Sequence, residues 1–250
     1  MITVSFIKSG ALSSAFSGPA LSLPKLKTIA AGERETLGDR AYAQLRELLI
    51  SGQLSPGEKI SLRALAEALG VSMMPVRAAV NRLVADRALE VTPNRAVRVP
   101  VMSVAQFREL ALVRMEIEGF AAERAAQARS ADDLARIAAA EKAFRAESMR
   151  ARPDLPRAVE LNKDFHFALY GAAGLPSLVE IVGSLWLKAG PVINLDLRAS
   201  PERLVTGGAV RYHAEALAGV RAGDGARARA AIAADIAQAA DFIVSRGGLA

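Results

Sequence analysis

Cysteine is missing altogether from this chain of 250 residues, which excludes disulfides, thiolate metal sites and a cysteine nucleophile. Aromatics are scarce at 5%, with a single tryptophan, Trp186, and there are two histidines, His166 and His213. Long hydrophobic runs are lacking as well, and no stretch reaches the length that spans a bilayer. The opening Met1-Ile2-Thr3-Val4-Ser5-Phe6-Ile7-Lys8 is apolar. It has no basic region and no sustained hydrophobic core, which argues against a signal peptide. The expectation is a cytoplasmic chain with no membrane partner.

What the chain has is length for one large or two modest domains and a net charge of +6. The positive excess lies toward the N-terminus. Residues 36–100 carry nine Lys and Arg against six Asp and Glu, where phosphates would be met.

Residues 61–99 are the most informative segment. Leu62, Leu65, Ala66 and Leu69 recur at helical spacing, and Gly70 closes that helix. Ser72 is placed to cap a second helix, with Pro75 in its first turn, where backbone N–H groups lack intrahelical partners anyway. Val76, Val80, Leu83 and Val84 form the buried stripe of this helix, leaving Met73, Met74, Arg77, Ala78 and Asn81 on the outward face. A tight helix–turn–helix offering Arg and Asn outward suits the DNA major groove. Residues 88–91 and 96–99 read as short strands around Thr92-Pro93-Asn94-Arg95, a wing with Arg95 near its tip. The plainer alternative is a helical hairpin packed on a β-ribbon.

Residues 1–35, rich in Ser, Gly, Ala and Pro, read as a disordered arm. An amphipathic helix over residues 40–50 precedes the helix–turn–helix. After Pro100, Ser103 and Gln106 form a capping box that opens a long helix to about Gln127. Further helices are expected over residues 130–150, 155–172 and 175–188, with Ser200-Pro201 and Asp224 starting two more. The fold class is mainly α: a winged helix–turn–helix over residues 36–100, then an all-α bundle of six or seven helices over residues 101–250.

Within the bundle, Asn162 and His166 share a helix face at i, i+4. His213 and Asp235 stand equally far from Asp224, so antiparallel packing of the last two helices places them at similar height. Two imidazoles, a carboxylate and an amide oxygen would bind a divalent cation such as Zn²⁺, Mn²⁺ or Ni²⁺. Spacing alone points rather to two unrelated histidines, one packed beside Phe165 and Phe167 and one a surface residue beside Tyr212. Arg114 and Glu118 form an i, i+4 pair that is either a solvated ion pair or an arginine turned inward to clamp an organic carboxylate. Trp186 reads as core.

Together these segments resemble a GntR-family transcriptional regulator of the FadR subfamily, whose effector domain is called FCD. The likeness runs over residues 36–246. It rests on Leu65-Ala66-Glu67-Ala68-Leu69-Gly70-Val71-Ser72 with Pro75-Val76-Arg77, Arg114 with Glu118, Asn162-Lys163-Asp164-Phe165-His166, and His213 with Asp235. The resemblance implies DNA contacts from Arg63 and Arg77, a wing at Asn94 and Arg95 entering the minor groove, metal ligation by Asn162, His166, His213 and Asp235, and effector contact by Arg114. Three positions depart from the family pattern. Met73 and Met74 stand where Arg-Thr is usual, Asn162 where Asp is usual, and Asp235 where a third His is usual.

The reading is then a homodimeric, one-component regulator that represses from a palindromic operator, sensing a small organic acid through its metal and Arg114, and not an enzyme. The rival is a metalloenzyme using a two-His-one-carboxylate site.

Overall fold

The computed structural model describes residues 36–93, 96–199, 204, 208–247 and 249, with the side chains of residues 195–199 outside that description. The N-terminal arm, the wing residues Asn94 and Arg95 and the Ser200-Pro201 helix start lie outside the described residues.

Helix α1 (Leu37–Ile50) starts three residues earlier than its apolar spacing suggested, because the Thr36 hydroxyl accepts from the Asp39 N–H and caps it. Strand β1 (Lys59–Ile60) leads into α2 (Leu62–Leu69), which Gly70 ends in the left-handed conformation that a residue without Cβ adopts freely. Helix α3 (Met73–Ala85) follows, then β2 (Glu90–Val91) and β3 (Val97–Arg98). The strands form an antiparallel sheet in the order β1-β3-β2, pairing Ile60 with Val97 and Val91 with Val97. The wing was legible. Its third strand was not, since two residues carry no alternation and the pairing is non-local.

Three local expectations need correction. Ser72 occupies the N-cap position of α3, but its side chain makes no capping hydrogen bond. Met73 is half-buried and packs on the core rather than standing outward, while Met74 is 72% exposed. Ala79 joins Val76, Val80 and Leu83 in the buried stripe, and Val84 is only half-buried.

The helical region comprises α4 (Val104–Ala128), α5 (Ala131–Ser148), α6 (Leu155–Gly171), α7 (Pro176–Ala199), α8 (Ala209–Ala222) and α9 (Gly225–Ser245). The Ser103–Gln106 capping box is present, as is a second box at Ser130 and Asp133. Asp224 caps α9 through the Arg227 N–H. Helix α7 corrects the sequence reading. It does not stop at Lys188 but runs through Gly190-Pro191 to Ala199. Proline removes one intrahelical bond, and packing of α7 on α1, α4 and α6 carries the helix past it.

Helices α4 and α9 share the most extensive interface, with α8 returning along α9. At Gly219 a Cβ would lie 2.7 Å from the Ala228 backbone nitrogen, so only glycine allows that close approach of α8 to α9. Most buried apolar residues of the winged helix and the bundle form one continuous cluster, joined where α1 packs on α7, while Phe144, Ala158, Val159, Leu161 and Leu204 form a second.

Candidate functional site

On α2 and α3, Arg63, Ser72, Arg77 and Asn81 are exposed. Arg63 and Arg77 are free of ion pairs among the described residues, which leaves both guanidiniums available to phosphates or base edges. Helix α3 is held from behind by α1. Tyr42 donates its hydroxyl to Asp86 Oδ2 at 2.9 Å, Arg82 pairs with Asp39 at 2.7 Å, and the Arg82 guanidinium lies over the Tyr42 ring. Arg82 is thereby occupied with structure, while Arg77, five residues earlier, faces out.

In the bundle, α6, α8 and α9 bring His166, His213 and Asp235 together. His166 Nε2 lies 3.4 Å from Asp235 Oδ2, and His213 Nε2 lies 3.8 Å from the same oxygen. One ligand atom from each residue falls within 4.8 Å of the others, and all three residues are buried. The equal spacing of His213 and Asp235 about Asp224 therefore translated into proximity. Asn162, one turn before His166, lines the same cavity of about 30 Å³ with Arg114, Phe144, Trp186 and Ile193.

Burial pushes the His213 imidazole below its ordinary pKa and keeps it neutral. Phe165 stacks on its ring at 4.1 Å and Phe144 leans on it at 4.7 Å. Among the described residues neither His213 ring nitrogen has a hydrogen-bond partner, a cost of about 1–3 kcal/mol for a buried polar group. Burial opposes ionisation of Asp235, but the two imidazoles outweigh it and hold the carboxyl below the usual carboxylate range. A neutral imidazole with an unshared lone pair next to an ionised carboxylate is the state that metal ligands must reach. The donor set thus fits a divalent cation of the Zn²⁺, Mn²⁺ or Ni²⁺ type.

Beneath this cluster lies a group that the sequence showed only as an i, i+4 pair. Glu118 is fully buried and accepts from Arg114 Nε at 2.6 Å and Nη2 at 3.2 Å. It also accepts from the Tyr170 hydroxyl at 2.7 Å and the Trp186 indole N–H at 3.0 Å. Burial, with Glu118 alongside, pushes the Tyr170 phenol well above its ordinary pKa, so it keeps its proton. Arg114 is therefore a buried ion pair and not a solvated one, and two of its nitrogens are already committed. Glu116, by contrast, pairs with Arg229 at the surface. Trp186 is core, as expected, and is also part of the site. Tyr170 was missed, although it stands one turn after His166 and that spacing was there to be read.

The family model described as "FCD domain" matches residues 109–238, slightly more than half of the chain. The model "Bacterial regulatory proteins, gntR family" matches residues 37–99. The chain belongs to the GntR family. It is a transcriptional regulator of that family, a DNA-binding winged helix–turn–helix followed by an FCD domain. Among its relatives is the HTH-type transcriptional regulator McbR of Escherichia coli (strain K12), 33% identical over 150 residues, or 60% of this chain and 67% of McbR. The solved structure of E. coli McbR/YncC superposes with a TM-score of 0.78 at 27% identity, covering 86% of this chain and 100% of that one. A GntR regulator from Rhodococcus sp. RHA1 shares the fold, with a TM-score of 0.66 at 24% identity over 83% of this chain and 97% of its own. These relatives are regulators and not enzymes, and the metalloenzyme reading falls with that.

Proposed function

We propose that this GntR-family regulator is a metal-dependent sensor of a small organic acid that represses transcription as a homodimer on a palindromic operator. Residues 36–100 are the DNA-binding unit, and residues 101–250 sense the effector and dimerise. The observation that carries the sensor reading is the buried, partnerless His213 imidazole beside His166 and Asp235. Asn162, His166, His213 and Asp235 would hold the ion, which when bound supplies a Lewis-acidic point for a carboxylate. The remaining N–H groups of Arg114 would orient that carboxylate.

The cavity, at about 30 Å³, has room for little beyond an ion and a water. An acid of several atoms enters only if the wall moves, and this ties its binding to a change of shape. A coupling of about 1–3 kcal/mol between that change and the placement of the winged helices makes a usable switch. On DNA, Arg63, Ser72, Met74, Arg77 and Asn81 would meet the major groove, and Asn94 and Arg95 the minor groove. Dimerisation has support in the apolar residues that α4 leaves exposed, Leu112, Val113 and Phe120. A DNA target supports a cytoplasmic location.

The test is elemental analysis of protein purified without a His-tag, together with thermal melts. A chelator should lower the wild-type Tm, because an ion bound only to the folded state stabilises it. It should leave a His166→Ala, His213→Ala double variant unmoved. Protein free of metal whose Tm does not respond to Zn²⁺, Mn²⁺ or Ni²⁺ refutes the metal reading.

A further inference from the structure

Resting on the reading that the His166–His213–Asp235 cluster holds a divalent cation, we propose that Tyr170 and Glu118 are positioning residues. They keep the His166 proton on Nδ1 and turn its bare Nε2 toward the ion.

The argument is a count of protons along one chain of contacts. Glu118 sits at its end, buried and surrounded by donors: two guanidinium N–H groups of Arg114, the indole N–H of Trp186 and the hydroxyl of Tyr170. A carboxylate ringed in this way only accepts. Tyr170 has one hydroxyl proton, and at 2.7 Å from Glu118 Oε2 that proton is spent there. The second contact of the same hydroxyl, 2.8 Å to His166 Nδ1, can then only be one in which oxygen accepts and nitrogen donates. His166 therefore has its proton on Nδ1.

The opposite nitrogen is the one that faces the cluster, 3.4 Å from Asp235 Oδ2. In the Nδ1–H tautomer it brings a lone pair toward a carboxylate, with the two nitrogens of His213 also unpartnered nearby. His166 Nε2 and the Asp235 carboxylate then face each other with no proton of His166 between them, and a cation relieves that repulsion. Imidazole ligands are commonly oriented by a hydrogen bond from the other ring nitrogen. Here the partner is a phenol anchored by a buried carboxylate rather than a carboxylate directly. Because α4 contributes Arg114 and Glu118, α6 Tyr170 and α7 Trp186, the network holds the ring from three helices at once.

The experiment is nitrogen-edited NMR on histidine-labelled protein near pH 8, where a free imidazole is neutral, metal-free and after Zn²⁺ addition. A His213→Gln spectrum assigns the two rings. Wild-type His166 should show a protonated Nδ1 and a bare Nε2 without metal, and Zn²⁺ should shift Nε2. Tyr170→Phe removes only the hydroxyl. It should abolish the Nδ1–H preference and weaken Zn²⁺ binding by about 10–100-fold, with thermal melts confirming that the variant is folded. A wild-type ring with its proton on Nε2, or a Tyr170→Phe protein with unchanged tautomer and Zn²⁺ affinity, overturns the assignment. Wild type that takes up no Zn²⁺ overturns the cation reading, and the metal-free spectrum still decides on Tyr170 by itself.

Discussion

Asn194, buried on α7, donates its side-chain amide to the backbone carbonyl of Ile50 at the C-terminal end of α1. Two turns back on the same helix, Trp186 donates to Glu118 beneath the His166–His213–Asp235 cluster. One helix thus contacts both α1 and the residues beneath the buried His166–His213–Asp235 cluster. A second tie, the Lys163–Glu47 ion pair, joins α6 to α1. At Gly190 the two helices nearly meet, and a Cβ there would lie 2.7 Å from the Leu49 carbonyl oxygen and 2.8 Å from Ile50 Cα. Those are backbone atoms and cannot swing aside. Gly190→Ala should therefore cost about 1–3 kcal/mol, read as a lowered Tm, and should change how effector binding alters operator affinity. An unchanged melt would show that α1 and α7 are not in such contact.

The two methionines at the start of α3 should behave differently. Met74 is exposed and Met73 is packed on the core. Met74→Arg should change the operator sequence selected from a random oligonucleotide pool with little effect on stability. Met73→Arg should lower the Tm, since it brings charge to a half-buried apolar position. Arg77→Ala should weaken operator binding by about 1–3 kcal/mol if it reads a base, and should flatten the salt dependence if it binds phosphate. Mobility-shift titrations at two salt concentrations separate these outcomes.

Much of this molecule was legible because its signals are local. Ser103 and Gln106 announce α4 within four residues, Gly70 ends α2 by its own backbone freedom, and His213 and Asp235 are related by symmetry about a single turn. What could not be read depends on distant partners. Strand β1 exists because β3 lies beside it, and α7 passes Pro191 because three helices hold it. Met73 turns inward because α3 packs as part of a larger core. Glu118 could not be told from half of a surface pair until α6 and α7 brought Tyr170 and Trp186 onto the same carboxylate.

The N-terminus of α5 gives a pH dependence with a definite sign. Hydrogen bonds from the Ser130 hydroxyl and backbone N–H, with Arg136 close by, hold Asp133 below its ordinary pKa. The folded pKa is thus lower than the unfolded one. Its contribution to stability is complete above the unfolded value and is lost as the pH falls through the folded one. Asp133→Asn should lower the Tm at neutral pH and show a shallower loss on acidification than wild type. Parallel Tm-against-pH curves for the two proteins would contradict this.

Trp186 is the only tryptophan in the chain, and its ring centroid lies 5.2 Å from that of His166. Its emission therefore reports on the cluster without any added label. Ni²⁺ bound by His166, His213 and Asp235 would sit within a few residues' width of the indole and should quench it strongly. Zn²⁺, which has a filled d shell and no redox chemistry, should quench far less but compete for the same site. Titrating Ni²⁺ should give a saturable loss of emission that excess Zn²⁺ reverses, and His213→Ala should abolish it. His213 is the variant to use because Phe165 and Phe144 flank its ring while Trp186 contacts His166 instead, so its removal leaves the packing of the reporter in place. Quenching that persists in His213→Ala would put the ion elsewhere on the protein.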